Sequence, residues 1–315
     1  MTVKHDAILR KEDLLAIENT LYEPKKEELV ARGFIKLNTN FAPFAQEIGY
    51  DWFDRTGSAK ILAAGGSAKD VPFVGENGGR ETMKVYDIVT GIRYTKAERM
   101  AAQAKSALGK GPVVNLDTSR VATARRFVAE TENRLAFVGD AKHKIKGLLN
   151  MLGITSESVA ASGTGAGDSA KRLWTNKTPK LKLADLLTGK KKVEAGNIFK
   201  ARVLLIDSDH FNQLLEPFSD SSPMTVLKWL QTEGAFFEKI IVTSALNHAH
   251  NGFSTVDAFA ILDNDPEIIE LAVVEDLALG DPVYDILGTS EQVASERTAG
   301  CIIRHPSAIY VGKGI

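Results

Sequence analysis

An α+β fold is what this sequence predicts, and three stretches predict it. Residues 117–150 carry one long amphipathic helix that breaks at Gly139. Residues 84–94 alternate apolar and polar as a strand does. After residue 200, short apolar runs recur between turn residues without the regular strand–helix alternation of a parallel α/β fold. One dominant helix and several non-consecutive strands make the class α+β.

The 315 residues suffice for one large domain or two modest ones. Apolar residues at 44% and charged residues at 25% are an ordinary globular mix. A net charge of −1 gives no global field toward nucleic acid or membrane. The single cysteine, Cys301, excludes an internal disulfide and a cysteine metal cluster, and fits a reducing intracellular setting. The opening residues lack the apolar core of a secretory signal, and no apolar run reaches the roughly 20 residues of a membrane helix.

In chain order, residues 1–54 read as an arm. Leu14, Leu15, Ile17 and Leu21 could share a helical face, but Pro24 and the charges up to Glu28 interrupt it, and the aromatics from Phe34 to Phe53 follow no period. Residues 55–94 read as a long glycine-rich β-hairpin, with an outgoing strand at Ser58–Ala64 and a return strand at Lys84–Tyr94 whose Tyr86, Ile88, Ile92 and Tyr94 share one face. Such a ribbon is marginal alone and needs a partner surface.

Thr95–Leu108 is helical by composition, with Gly109 and Gly111-Pro112 as its stop. The long helix follows, capped by Asp117 or Thr118, with Val121, Ala124, Val128, Thr131 and Leu135 on one stripe and Phe127 beside it. Further on, Leu181–Leu187 reads as a short helix before a basic turn at Gly189–Lys192. Arg202–Ile206 reads as a buried strand, Ser208–Phe218 as a helix, and Pro223 as a helix start. Phe236–Val242, Thr255–Leu262 and Ile268–Val274 read as strands, and the chain closes as strand, Pro306 break, strand.

Constellations that carry chemistry are few. Ser162-Gly-Thr-Gly-Ala-Gly-Asp168 has glycines that could free backbone N–H groups for a phosphate, but its spacing matches neither dinucleotide nor P-loop patterns, so a surface loop is expected. His248 and His250 sit among turn residues and read as solvated. Asp263, Asp265 and Glu267 are oxygen-rich, but Pro266 makes a β-turn of them, without the glycine and distal glutamate of a calcium loop. His210 beside Asp209 reads as part of a helix start, and Cys301 as a small buried side chain. Lys142–Lys146 and Lys190–Lys192 are basic enough to touch phosphate backbones. No catalytic, cofactor-binding or metal-binding residue is assigned, and no enzyme activity or cofactor is expected.

The helix end Asn133-Arg-Leu-Ala-Phe-Val-Gly-Asp140, followed by Ile145-Lys-Gly-Leu-Leu-Asn150, resembles the core of tailed-bacteriophage major capsid proteins of the Hong Kong 97-type fold, and the related encapsulin shells carry a similar coda. The order of arm, glycine-rich hairpin with Ala68 to Pro72, helix and terminal Gly300–Pro306 strand resembles that family too. The resemblance implies an N-terminal arm at 1–54 and an extended loop at 55–94. It further implies a peripheral domain at 95–150 completed by 291–315, with Asp117–Phe137 as spine helix, and an axial domain at 151–290. It implies a subunit that assembles with itself into pentamers and hexamers of an icosahedral shell around double-stranded DNA, held by weak non-specific contact. Further implied partners are a portal and a scaffolding or decoration protein, with no membrane, in a virion assembled in the bacterial host cytoplasm. The alternatives are an encapsulin-like nanocompartment shell and a nucleotide-binding enzyme built on residues 162–168.

Overall fold

The long helix runs from Leu116 to Phe137 and carries the expected apolar stripe, with Ala124, Val128 and Leu135 buried and Val121 and Thr131 half-buried. It begins one residue ahead of the expected cap. The computed structural model describes residues 27–61, 71–108, 116–219, 222–232, 236–253 and 255–315. The expected helical face at Leu14–Leu21, the glycines at 65–66 and the helix stop at 109–112 lie outside them. The described chain divides into two compact units. One gathers Val89–Val128 and Leu277–Ser295; the other gathers Leu29–Ile88, Ala129–Asp276 and Glu296–Ile315.

In the first unit the alternation of the Tyr86–Tyr94 strand is realised: Ile92 and Tyr94 are buried and pack with Ala124 and Ala294. The strand pairs with the long strand Ser290–Ile303. The helix Lys96–Leu108 starts at a reciprocal cap, in which the Glu98 N–H donates to Thr95 Oγ1 at 3.3 Å and the Thr95 N–H to Glu98 Oε2 at 3.0 Å.

The second unit is built on a mixed five-stranded sheet, in the order Lys239–Val242, Val203–Ile206, Ala258–Leu262, Ile309–Lys313, Thr155–Ser158. Its central strands read as unbroken apolar runs because both faces are covered. Val203, Leu205, Ala260 and Val311 point into one core, while Leu204, Ile206, Phe259 and Ile261 point into the other. Ile309–Lys313 pairs antiparallel with Ala258–Leu262 and parallel with Thr155–Ser158. Residues 296–315 lie in the same unit as this sheet and as residues 129–150, whereas Leu277–Ser295 fall with Val89–Val128.

Four local expectations are corrected. The helix expected at Leu181–Leu187 spans Pro179–Val193, and the basic turn is its last turns. Gly189 does not break it; a Cβ there would meet Ile261 and Tyr310 at 2.8 Å, so glycine lets the helix lie close on the sheet. The helix expected at Ser208–Phe218 ends at Gln213 and is followed by a strand, Pro217–Ser219. Pro223 lies in that strand's partner, Ser222–Thr225, and the next helix starts at Val226, where Thr225 Oγ1 accepts from the Lys228 N–H at 3.2 Å. Of the expected outgoing strand Ser58–Ala64, residues 58–61 are not strand and residues 62–64 lie outside the described residues; the strand paired with Gly75–Lys84 is Glu47–Thr56.

The coda after the long helix has a physical explanation. Gly139 turns the chain with φ +73°, and Gly139–Asp140 pairs with Ile145–Lys146. The last helical carbonyls are then satisfied from the returning strand: the Leu148 N–H donates to Ala136 O at 2.8 Å and the Leu149 N–H to Phe137 O at 2.9 Å. The Asn150 side chain bridges the Gly147 N–H and Val138 O. Leu148 and Leu149 are buried with Ala136 and Phe137. A Cβ on Gly147 would meet the Gly139 nitrogen and the Phe137 oxygen at 2.5 Å, both backbone atoms. Gly147→Ala is expected to destabilise the subunit by about 3 kcal/mol, from overpacking against atoms that cannot move aside. A urea unfolding midpoint equal to that of the parent would contradict this reading.

Candidate assembly surfaces

The hairpin is rooted and then left open. Ile48, 4% exposed, packs with Ala272, Val274, Ala299 and Ile302, and Tyr50 and Met83 lie against that cluster. Beyond Tyr50 the outgoing strand is exposed on both faces to Thr56, and Phe53, Phe73 and Val74 are largely uncovered. The ribbon keeps its own register. Asp51 and Arg80 pair at 2.6 Å, Arg55 approaches Glu76 at 3.7 Å, and the Trp52 ring lies over Gly79, where a Cβ would sit 3.0 Å from it. Exposed ion pairs of this kind contribute little. A two-stranded ribbon with no covered face is marginal in water, so the aromatic surface fits a neighbour.

At the arm's inner end, Ala31–Phe34 forms one short helical turn whose Ala31 N–H donates to Asn133 Oδ1 at 3.0 Å. The Arg32 guanidinium gathers three carboxylates: Glu132 at 2.7 Å, Asp276 at 3.1 Å and Glu296 at 3.1 Å. Glu132 and Glu296 are 3% and 2% exposed. Burial, then the neighbouring Glu132 charge, pushes the Glu296 carboxyl up to about 8, against the pull of Arg32. The Arg32 guanidinium loses something to burial, but its hydrogen bond to Glu132 and the charges of Glu132 and Glu296 raise it overall. Glu132 follows buried Val128 by one helical turn, a spacing that is a sequence signal for its burial. Nothing in the sequence marks Arg32 as its partner.

A second exposed element lies in the first unit. Val283–Tyr284 pairs with Ser290–Glu291 and closes a turn in which the Asp285 N–H donates to Thr289 O, and the Gly288 N–H to Asp285 O, both at 2.8 Å. Asp285 Oδ1 accepts from the Ile286 N–H at 2.6 Å, and Arg99 donates to Gly288 O and lies over the Tyr284 ring. This ordered turn holds Ile286 and Leu287 out, 101% and 78% exposed.

The chemistry-bearing stretches are spent on the chain itself. In the 162–168 loop the Gly163 N–H donates to Lys171 O and the Thr164 N–H to Asn176 O, both at 2.9 Å. His248 Nδ1 lies 2.8 Å from Asp257 Oδ1. Asp263 accepts from the Lys200 N–H, and Asp265 pairs with Arg202 at 3.1 Å. Asp207 caps the helix Ser208–Gln213, and His210 is buried edge-on to Trp174, its basicity lowered by burial. Burial pushes the Cys301 thiol up to about 12. Among the described residues no group of three or more His, Cys, Asp or Glu is placed to hold a metal, and no helix is long and apolar enough to cross a membrane.

The sequence model of the Major capsid protein family matches residues 57–315. The chain belongs to this family. The capsid of Myoviridae phage XM1 is similar at a TM-score of 0.79 and 13% identity, over 98% of this chain and 99% of that one. Mycobacterium phage Bobi gives 0.64 and 10%, over 98% of each chain. A virus-like particle from Pyrococcus furiosus gives 0.56 and 16%, over 89% of this chain and 90% of that one. The curated proteins contain no match. The fold of this major capsid protein is the Hong Kong 97-type capsid fold. The protein is a structural subunit of a capsid shell, associates with copies of itself, and belongs to the virion.

Proposed function

We propose that this subunit closes pentamers and hexamers into an icosahedral shell around double-stranded DNA and catalyses no reaction. The observation that carries this is the ribbon Glu47–Thr56/Gly75–Lys84, which has an ordered register and no covered face past Tyr50. Identical chains that each offer such an arm to a neighbour make heterologous contacts, and those close into shells when the rotation closes.

In this reading residues 1–46 are the arm, tied at Arg32, and the extended loop is 47–84 in place of 55–94. Residues 89–128 and 277–295 are peripheral, and the sheet of 155–313 is axial. The DNA contact is weak and sequence-independent. Lys190 and Lys192 are already paired with Glu194 and Glu157, leaving Lys191 without a carboxylate among the described residues. A portal and a scaffolding or decoration protein complete the particle, which assembles in the bacterial host cytoplasm.

Electron microscopy of the purified protein under assembly conditions tests this. Closed shells with fivefold vertices, protecting DNA from nuclease, are expected. An enzyme cargo in place of DNA would shift the reading to a nanocompartment, the alternative that the similarity to the Pyrococcus particle keeps in view. A protein that remains a small monomer would remove the shell reading.

A further inference from the structure

A pocket of about 520 Å³ opens beside the coda, wholly within the sheet unit. Its floor is apolar: Met83, Ile145, Met151 and Ile303 line it, with Ala299 and Cys301. Its rim is basic: Lys84, Lys142, Lys144 and Lys146 are exposed, and among the described residues none of them makes an ion pair. One acidic residue, Glu81, lines the pocket and Asp140 lies beside it, so the four lysines outnumber the carboxylates. Glu81 accepts from the Tyr50 hydroxyl at 2.5 Å, and Asp140 lies 2.5 Å from His143 Nδ1 and caps the Lys142 N–H. The rim is held in place: the Tyr86 hydroxyl donates to His143 O at 2.9 Å, and Lys144 takes φ +60°. An apolar floor inside a cationic rim selects an occupant that is apolar at its tip and acidic at its base.

The chain carries such a segment in the other unit. The turn 281–287 presents Val283 between Asp281 and Asp285, and Ile286 and Leu287 just after Asp285, to solvent; residues 280 to 291 include no lysine or arginine, and the nearby Arg99 is engaged with Tyr284 and Gly288 O. Its own hydrogen bonds hold it in shape, so little ordering cost remains on docking. We infer that this turn of one copy seats Ile286 and Leu287 in the 142–146 pocket of a second copy, with Asp281 and Asp285 against the lysine rim. The inference rests on the self-assembly reading above. A DNA duplex is the poorer occupant. It would meet the lysines but leave the Met and Ile floor uncovered, whereas an aliphatic tip covers it.

The test uses shells of the full chain, assembled from a mixture of isotopically heavy and light subunits. Treatment with a zero-length carbodiimide, digestion and mass spectrometry should give heavy–light amides joining Asp281 or Asp285 to Lys84, Lys142, Lys144 or Lys146. Asp281→Lys, with its circular dichroism spectrum unchanged, should slow assembly about tenfold, with recovery on adding Lys144→Glu. Ile286→Ser should slow it without altering the spectrum. The inference is overturned if shells form and the turn cross-links only to the same turn of neighbours. It is equally overturned if the pocket lysines are shielded from modification only when DNA is present. Absence of any shell from the parent chain would instead strike the assembly reading, and this inference with it.

Discussion

A subunit in which residues 54–77 are replaced by Asn-Gly folds normally and does not form shells. Phe53 and Gly78 face each other in the ribbon, so a two-residue turn closes the shortened hairpin in register. The root stays whole, because Ile48, Tyr50 and Met83 lie inside the retained part and hold the cluster with Val274 and Ile302. The described residues among those deleted, 54–61 and 71–77, bury almost nothing in their own subunit, and the ion pair between them, Arg55–Glu76, is exposed at 3.7 Å. The cost to the subunit is therefore below about 1 kcal/mol, a shift in melting temperature of about 2–4 °C at most. Assembly loses the whole reach of the arm. Thermal denaturation with size-exclusion chromatography separates the two effects. Normal shells from the shortened chain would refute the assignment of this ribbon to the subunit interface.

Removing Arg32 acts on the opposite side of the ledger, on the subunit itself. Arg32→Ala leaves the Glu132 charge beside the protonated Glu296 carboxyl with almost no solvent, a buried charge that has lost its cation. Breaking a buried pair in this way costs about 3–5 kcal/mol. With Arg32 itself 40% exposed and part of its attraction screened, about 2–3 kcal/mol is expected at neutral pH. The pH dependence carries the signature. The Glu296 carboxyl moves from 4.5 to about 8 on folding, so the folded chain keeps a proton that the unfolded chain releases as pH rises. This contribution is fully present below about pH 4.5, is lost progressively to about pH 8, and is flat beyond. Glu296→Gln, which cannot ionise, should remove that slope and be the more stable form above pH 8, by about 3 kcal/mol. Urea midpoints at pH 5, 7 and 9 measure it. Parallel curves for parent and Glu296→Gln would show that the buried pair does not hold the proton.

What could be read without coordinates follows from where burial leaves a periodic mark. The long helix was legible because a stripe at helical spacing faces a core, and Val203–Ile206, Ala258–Leu262 and Ile309–Lys313 because strands covered on both faces become continuous apolar runs. The ribbon strands were misplaced by about ten residues for the converse reason. Glu47–Thr56 and Gly75–Lys84 bury almost nothing past their root, so no alternation exists to locate them, and the glycines drew the strand too far along. Gly189 reads as a helix stop until Tyr310 and Ile261 are seen against it.

The sequence by itself determined the class, the long helix with its coda, the core strands and the likeness to shell-forming subunits, because each is written in residues close together in the chain. Only the tertiary structure decided which carboxylates meet Arg32, which glycines are packed backbone to backbone, and that the last strand lies inside the five-stranded sheet. Arg32 finds Glu132 at a separation of 100 residues and Glu296 at 264, and Gly139 meets Gly147 only once the helix end has folded back. Contacts of that range depend on the path of the whole chain, and no local propensity encodes them.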